Sequence, residues 1–308
     1  MSPTRERPRN MAASVRERLT QQARSRSANV QLVMTRYAIE RLLYRLSLSR
    51  HRERFVLKGA MLFAVWANAP YRTTADLDLL GAGDPEPQLL ARAIREVCSV
   101  AVEDDGVTFL ADTLRVEAAR EDQEYQGARM TMTAVIAGAR LAIHVDVGYG
   151  DAITPGVLEL EYPSLLDMPR AKLRAYPPET VVAEKLHALV ALGMANSRMK
   201  DFYDLWAIAG SLAFDGAILA QAFGATFERR RTPLPTAVPV ALTATFVGDP
   251  AKQAQWQGFV RRTEFTLQPS PLHDVAAAVA GFVLPPARAA AAGSVFEQRW
   301  EPGGPWKQ

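Results

Sequence analysis

The sequence predicts an α+β (mixed α/β) protein, with a mixed sheet flanked by helices and then a C-terminal helical bundle. Three observations lead to this prediction. Short β-like apolar runs are concentrated between residues 55 and 147, helical periodicity dominates after Gly150, and 48% hydrophobic with 22% charged residues is typical of a globular chain. We expect an α/β domain at residues 29–160 and a helical domain at residues 161–284.

The first part of the chain is strongly basic. Residues 1–54 hold 13 Arg and four Glu, a balance of +9, so the other 254 residues must carry −6 to reach the total of +3. Such an excess favours a polyanion or a membrane surface as partner. We interpret residues 1–28 as a basic flexible arm with a short helix over 14–23, in which Ser14 is the N-cap and Glu17 its capping-box partner.

Hydrophobic periodicity predicts the elements that follow. The α/β part has helices over 29–48, 60–68 and 86–100, and strands over 55–58, 76–80, 107–110, 114–118, 129–136 and 141–147. A turn at Gly138-Ala139 makes the last two strands a hairpin. In the first of these helices, Arg36, Glu40, Arg41 and Arg45 are expected to cover the faces away from the apolar residues.

Five further helices are predicted in the C-terminal half, over 179–192, 200–209, 218–227, 251–259 and 273–282. Residues 285–308 are rich in Pro, Gly and Ala, and we expect them to form a disordered tail.

Several classes of protein are excluded by missing motifs. The single cysteine, Cys98, cannot form an intrachain disulfide framework or a Cys-rich zinc site, and it favours a reducing cytoplasm. No HExxH, GxSxG or GxxxxGK[ST] pattern occurs. The charged N-terminus lacks the apolar core of a signal peptide, and no apolar run reaches the roughly 18 residues of a membrane span.

Asp76 and Asp78 are the first candidate site residues. On a strand, residues two apart share a face, so both carboxylates point the same way while Leu77 and Leu79 face the core. Two like charges this close favour a divalent cation, and oxygen ligands suit Mg²⁺ or Mn²⁺. The alternative is an exposed edge strand with alternating Asp.

Gly59 separates the first strand from a helix, and the free backbone N–H groups of a helix start favour phosphate binding. With the two acids on the second strand and a third acid on another strand, this arrangement would form a metal-dependent phosphoryl or nucleotidyl transfer site. Asp146, which follows the apolar run 141–145, is the candidate third acid. A strand-end Asp beside a turn is the alternative.

Two more clusters follow in the helical half. Lys185 lies near the edge of the apolar stripe of its helix, where it can reach triphosphate oxygens, although a solvated Glu184–Lys185 pair is the alternative. Residues 196–206 bring Arg198, Asp201 and Asp204 together at a helix start. For Asp201, helix capping is the alternative.

Taken together, these segments resemble the AbiEii/AbiGii-type nucleotidyltransferase toxins, a branch of the polymerase-β-like nucleotidyltransferase superfamily. The resemblance spans roughly residues 14–285. It is carried by FVLKGAMLFAVWANAPYRTTADLDLL (55–80), IHVDVGYGDAITP (143–155), PETVVAEKLHALVALGMANSRMKDFYDLW (178–206) and the helix QLVMTRYAIERLLYRL (31–46).

The resemblance implies a nucleotidyltransferase-fold sheet and the transfer of a nucleoside monophosphate from an NTP to an acceptor hydroxyl, with Mg²⁺ or Mn²⁺. For some family members the acceptor is the 3′ end of tRNA, and many are paired with a separately encoded antitoxin. It assigns catalytic roles to Asp76, Asp78, Lys185 and Asp201, metal binding to Asp76, Asp78 and Asp146, and nucleotide binding to Lys58, Gly59, Ala60, Thr74, Lys185 and Arg198.

The turn departs from the superfamily pattern of Gly-Ser or Gly-Gly, because Gly59-Ala60 keeps the backbone N–H but lacks the hydroxyl. Three alternatives stay open on sequence grounds. The acceptor could be a protein or a small molecule, the chain could be a non-catalytic RNA- or partner-binding module on a relic transferase fold, and the basic segment could dock an antitoxin.

Overall fold

The structure is a computed structural model that describes residues 10–66, 71–118 and 127–308. The chain divides into two compact units. The first, the sheet unit, comprises the described residues up to 61 together with 74–150 and 159–175. The second, the helical unit, comprises 62–73, 151–158 and 176–308. The sheet unit therefore extends past the predicted boundary at residues 160 and 161.

A seven-stranded mixed sheet forms the sheet unit. Its strands are β1 (Phe55–Lys58), β2 (Asp76–Gly81), β3 (Thr108–Ala118), β4 (Gly127–Ile136), β5 (Ala139–Tyr149), β6 (Leu158–Tyr162) and β7 (Ala171–Ala175). The order across the sheet is β3-β4-β5-β2-β1-β7-β6. Strand β2 runs parallel to β5 and antiparallel to β1, so β2 lies in the middle of the sheet.

The chain predicted as separate strands over 107–110 and 114–118 is one strand, β3, with an irregular register between Leu110 and Arg115. The β4–β5 hairpin is confirmed, but its turn lies one residue earlier than the predicted Gly138-Ala139. Its turn contains Ala137 (φ 44°) and Gly138 (φ 80°), two consecutive left-handed residues of the kind that two-residue hairpin turns need. Strands β6 and β7 were not predicted, although their sequences LELEY and AKLRA alternate between apolar and charged residues.

Three helices belong to the sheet unit: α1 (Met11–Ser25), α2 (Val30–Leu48) and α4 (Pro87–Cys98). The short helix α3 (Phe63–Trp66), which lies between α2 and α4 in the chain, belongs to the helical unit. Helix α2 packs on β5 and β7, and α4 packs on β3. The helix predicted over 60–68 is instead a 3₁₀ turn over Gly59–Leu62 followed by α3, and residues 67–70 lie outside the described residues.

The predicted flexible arm at residues 1–28 is wrong for its described part. Helix α1 begins at Met11, because the Asn10 side chain, rather than Ser14, accepts a hydrogen bond from the backbone N–H of Ala13. Val15, Leu19 and Ala23 are fully buried where α1 packs on α2 and β4. Apolar burial at three- to four-residue spacing thus overrides the basic composition. Residues 1–9 lie outside the described residues.

Helix α2 does not carry all of its charged side chains outside, contrary to expectation. Glu40, Arg41 and Arg45 are buried. The Arg45 guanidinium donates to both carboxylate oxygens of Asp105, at 2.6 and 3.1 Å, and the Arg41 guanidinium stacks on the Tyr37 and Tyr44 rings. Pairing with a carboxylate or with aromatic faces makes such burial tolerable.

The helical unit contains α5 (Pro178–Leu192), α6 (Met199–Ser211), α7 (Gly216–Arg229), α8 (Ala244–Val247), α9 (Pro250–Arg262) and α10 (Leu272–Ala291). A small sheet of β8 (Phe214–Asp215), β9 (Arg299–Trp300) and β10 (Trp306–Lys307) joins them. Five helices were predicted here, and α5, α6, α7, α9 and α10 confirm them, with boundaries that shift by a few residues at most except at the end of α10.

The disordered tail predicted at residues 285–308 is wrong. Helix α10 continues through Pro285 and Pro286 to Ala291. Beyond it, the Trp300 indole N–H donates to the Ala209 carbonyl (2.7 Å) and the Trp306 indole N–H donates to the Phe282 carbonyl (2.9 Å). These aromatic side chains pack against one another and anchor a segment whose composition alone suggested disorder.

Helix α10 is, within the described part of the chain, the one helix long and apolar enough by length and composition to cross a membrane. Slightly less than half of its most apolar stretch is buried inside the protein. Its apolar side chains pack on α6 and α7, as those of a core helix do.

Candidate active site

One face of the sheet carries a row of acids. Asp76 and Asp78 on β2 are half-buried, whereas Leu77 and Leu79 between them are buried, as the period-two spacing predicts. The parallel register of β2 and β5 places Asp146 directly beside Asp78 and His144 beside Asp76. The three predicted carboxylates therefore lie on the same face of adjacent strands.

Gly59 directly follows β1 and touches this row. Its φ is +75°, and a Cβ built on it would lie 2.0 Å from the Oδ2 atom of Asp78. Both the left-handed backbone and the close approach of the carboxylate require glycine. The sequence pattern pointed to a phosphate turn here; the structure adds that the same residue makes room for a site carboxylate.

The other predicted residues of this region also come together in the sheet unit. Lys58 is the register partner of Asp78 across β1 and β2, and Ala60 is buried. The Thr74 hydroxyl accepts a weak hydrogen bond, at 3.4 Å, from the backbone N–H of Asp76. Thr74 is thus held next to the first acid, in a half-exposed position.

Asp146 has a partner that sequence reasoning missed. Arg129, its register partner on β4, donates from Nε to Oδ1 (2.8 Å) and from Nη2 to Oδ2 (2.7 Å). The hydrogen bonds and the charge of Asp146 raise the pKa of Arg129, and the charges of Asp76 and Asp78 raise it further. The hairpin was predicted, but its register, which selects Arg129, could not be deduced from composition.

The donor set of this face fits a hard divalent cation, because carboxylate oxygens are the preferred ligands of Mg²⁺ and Mn²⁺. Asp76 and Asp78 would hold it, with Asp146 as a third ligand. Among the residues that the structure describes, however, no three His, Cys, Asp or Glu side chains are grouped closely enough to hold a metal ion. The third carboxylate is engaged by Arg129 instead.

A second cluster, here called the buried ion network, lies in the helical unit. The Lys185 Nζ atom on α5 donates to Asp201 Oδ1 (2.7 Å) and Asp204 Oδ2 (2.8 Å) on α6. Arg72 donates from Nε and Nη2 to the two oxygens of Asp204, at 2.7 and 2.9 Å. Arg198 Nε lies 2.8 Å from Asp201 Oδ2, an ion-pair distance without good hydrogen-bond alignment.

Both aspartates of the network are completely buried, so each carboxylate must be compensated by cations. Burial raises the pKa of Asp204, but the charges and hydrogen bonds of Arg72 and Lys185 outweigh it and lower that pKa to about 2. Burial lowers the pKa of Lys185, whereas Asp201 and Asp204 raise it, and the net change is upward. Asp204 and Lys185 are therefore charged at neutral pH.

The network corrects two alternatives from the sequence. Lys185 does not form a solvated pair with Glu184, whose carboxylate lies instead 3.4 Å from the Tyr176 hydroxyl and 3.4 Å from Arg230. Asp201 is the third residue of α6 rather than its N-cap. Arg72 was missed because its partner Asp204 is 132 residues away, so no local pattern reveals it.

A mixed sheet with carboxylates on neighbouring strands beside a glycine turn, followed by a helical unit, is a nucleotidyltransferase-type fold. The sequence profile of the family described as "Nucleotidyl transferase AbiEii toxin, Type IV TA system" matches residues 41–281, about three quarters of the chain. The chain belongs to the AbiEii nucleotidyltransferase toxin family of type IV toxin–antitoxin systems. It is a nucleotidyltransferase, and its family implies an NTP substrate and a cognate antitoxin.

The solved structures that are similar to this chain include two from Helicobacter pylori. One is a crystal structure of a provisionally assigned nucleotidyltransferase from H. pylori, at 16% identity, covering 86% of this chain and 96% of that chain with a TM-score of 0.49. The other is JHP933 from Helicobacter pylori, at 15% identity, covering 86% and 94% with a TM-score of 0.48. No curated protein matches the chain.

Proposed function

We propose that this chain transfers a nucleoside monophosphate from an NTP to a hydroxyl of tRNA in a metal-dependent reaction in the cytoplasm, and that a cognate antitoxin restrains it. The observation that carries the proposal is the acidic face of the sheet. Asp76, Asp78 and Asp146 lie side by side there, and Gly59 packs against the Asp78 carboxylate.

The acidic face would bind the NTP through its phosphates. Asp76 and Asp78, with Asp146, would hold Mg²⁺ or Mn²⁺, which when bound neutralises phosphate charge. Gly59 begins a 3₁₀ turn, and backbone N–H groups at the start of such a turn can donate to phosphate oxygens. Lys58 and Thr74, which flank the same strands, supply a cation and a hydroxyl for these oxygens. The acceptor hydroxyl attacks the α-phosphorus, and pyrophosphate leaves.

The buried ion network supplies the other residues that we assign to activity. Because Lys185 is bound by Asp201 and Asp204, we propose that it acts with them as a charged unit rather than as a free phosphate ligand. Arg198 is different. Its side chain is 51% exposed although it lies beside Asp201, so its guanidinium is accessible to an anionic substrate.

A polyanionic acceptor is supported by the exposed arginines of the first helix. Arg16 and Arg24 on α1, and Arg26 just after it, are exposed, whereas Arg41 and Arg45 on α2 are buried and cannot contribute. Phosphate contacts made by such residues would give tRNA binding a steep decrease with salt concentration.

The test is a transfer assay with each of the four α-³²P-labelled NTPs, total tRNA or lysate protein, and Mg²⁺. Label should appear in tRNA, and Asp76→Asn should lower the rate at least about 100-fold because one metal ligand is lost. Asp112→Asn is the matched control, since Asp112 is an exposed acid on β3 in the same unit.

Other outcomes of this assay would change the proposal. Label in protein but not in tRNA would favour nucleotidylation of a protein. Full activity of the Asp76→Asn enzyme would show that the acidic face is not the active site. Absence of transfer with every NTP and acceptor would favour a non-catalytic binding module.

A further inference from the structure

We propose that Arg129 is a positioning residue of the acidic face: it holds the Asp146 carboxylate, and a divalent cation must displace it to gain Asp146 as a ligand. Arg129 would then set the affinity of the site for metal. The inference deepens the proposed function and rests on its assignment of Asp76, Asp78 and Asp146 to metal binding.

The first argument is the geometry of the pair. Nε and Nη2 of Arg129 each donate to a different oxygen of Asp146, at 2.8 and 2.7 Å, so the guanidinium covers the side of the carboxylate that faces it. A cation cannot bind both oxygens from that side while the guanidinium remains, because the two positive groups would repel each other.

The second argument is the position of Arg129 relative to all three acids. The register across four strands places Lys58, Asp78, Asp146 and Arg129 in one row, so the two neighbouring acids have a basic residue on each side. The guanidinium therefore compensates, in part, the same negative charge that would attract a metal ion.

The third argument is that the pair can open. The side chains of Arg129 and Asp146 are 57% and 31% exposed, and ion pairs this accessible to water contribute little to stability. Asp146 is fixed beside Asp78 by the backbone register of β2 and β5. Displacing Arg129 therefore needs only a side-chain rotation, with no change in the sheet.

The experiment is calorimetric titration of Mn²⁺ into the full-length protein without nucleotide. Arg129→Gln should bind Mn²⁺ about tenfold more tightly than the unmodified protein, because the competing cation is gone. Arg129→Lys keeps the charge but loses the two-pronged contact, and should lie between the two. Arg140→Gln removes an exposed arginine from β5, six residues from Asp146, and should leave the affinity unchanged.

The double variant Arg129→Gln/Asp146→Asn separates competition for one carboxylate from a general charge effect. If Arg129 acts through Asp146, the gain from Arg129→Gln disappears in the Asp146→Asn background. A gain that persists there would overturn the proposal, as would an Arg129→Gln protein that binds Mn²⁺ no more tightly than the unmodified one.

Failure of the proposed function would give a different result. In that case neither the unmodified protein nor Arg129→Gln would bind Mn²⁺, or Asp76→Asn would not weaken binding in either background. Thermal unfolding of each variant verifies that it is folded, and both substituted side chains are partly exposed, so we expect only small changes in the midpoint.

Discussion

At Gly59 the backbone lies directly against the Asp78 carboxylate of the acidic face. The left-handed φ of Gly59, +75°, would by itself strain any other residue, but the 2.0 Å approach of Asp78 Oδ2 to a Cβ at this position is a separate obstacle. The two effects can be separated, because Gly83 in the same unit has a left-handed φ but no atom within 4 Å of its Cβ position.

Gly59→Ala should therefore be more harmful than Gly83→Ala. Gly83 has φ +83° and nothing within 4 Å of its Cβ position, so its substitution introduces backbone strain only, of roughly 1 kcal/mol. For Gly59→Ala we expect an additional loss of about 1–3 kcal/mol in the free energy of unfolding, together with loss of nucleotidyl transfer. Urea denaturation and the transfer assay measure both; equal losses for the two variants would contradict the close approach.

Lys185 and Arg198 offer a second comparison between residues that contact the same acid. Lys185→Met removes a largely buried cation from two buried carboxylates, and should lower the free energy of unfolding by about 3–5 kcal/mol. Arg198→Met removes an exposed cation beside Asp201 and should cost less than about 1 kcal/mol.

Urea denaturation of both variants checks this difference, and similar losses would mean that the network is more hydrated than its burial suggests. The comparison also guides activity assays. An inactive Arg198→Met protein would point to a direct contact with substrate, since its fold is expected to be intact.

Whether a single site residue could be predicted from the sequence depended on how far along the chain its partners lie. Asp76, Asp78 and Gly59 are marked by local patterns, a period of two on a strand and a break between strand and helix. Arg72 and Arg129 are not, because tertiary contact and strand register select them. Lys185 was recognised as a site residue, but its two carboxylate partners depend on how α5 packs on α6.

At the scale of elements, α2 is an example of a helix whose buried face contains a carboxyl group. The backbone N–H of Leu165 donates to Glu40 Oε2 (2.9 Å), whereas Oε1 accepts no hydrogen bond from the described residues and lies 3.6 Å from Arg36 Nε. Burial raises the pKa of Glu40 to about 7, and Arg36 and the Leu165 hydrogen bond offset only part of the increase. The folded protein thus favours the protonated carboxyl.

A raised carboxyl pKa has a definite sign in stability. Protonated Glu40 makes its full contribution to the free energy of unfolding below the pKa of the unfolded chain, about 4.5. That contribution is lost as the pH rises through the pKa of the folded protein, about 7. Between pH 5 and pH 8, the free energy of unfolding of the unmodified protein should therefore fall by about 2 kcal/mol relative to that of Glu40→Gln. Urea denaturation of both proteins at the two pH values tests this, and a constant difference would show that Glu40 is already ionised at pH 5.

Most elements could be predicted because their apolar spacing is regular, as in α2, α5 and the β4–β5 hairpin. The failures have physical causes. Helix α1 is held by three buried apolar residues within a very basic segment, and β7 is only five residues long and joins the sheet beside β1, a neighbour distant in sequence. In such cases long-range packing decides the structure, and local composition does not.

At the scale of the whole molecule, the last 24 residues change from a predicted tail to part of the core of the helical unit. Trp300 is buried against Phe282 and Trp306 and donates to the Ala209 carbonyl. We expect Trp300→Ala to lower the free energy of unfolding by about 3–5 kcal/mol. Val295→Ala, at a position 76% exposed, should have almost no effect in the same urea denaturation. A disordered tail would make the two substitutions equally harmless.

The positions of the tryptophans also determine what a fluorescence experiment on this protein can detect. All five tryptophans, at positions 66, 206, 256, 300 and 306, belong to the helical unit. Tryptophan emission therefore follows the melting of that unit, and no tryptophan lies in the sheet that carries Asp76 and Asp78. If the two units unfold separately, emission and far-ultraviolet circular dichroism will give different midpoints, and substitutions on the acidic face will shift only the second.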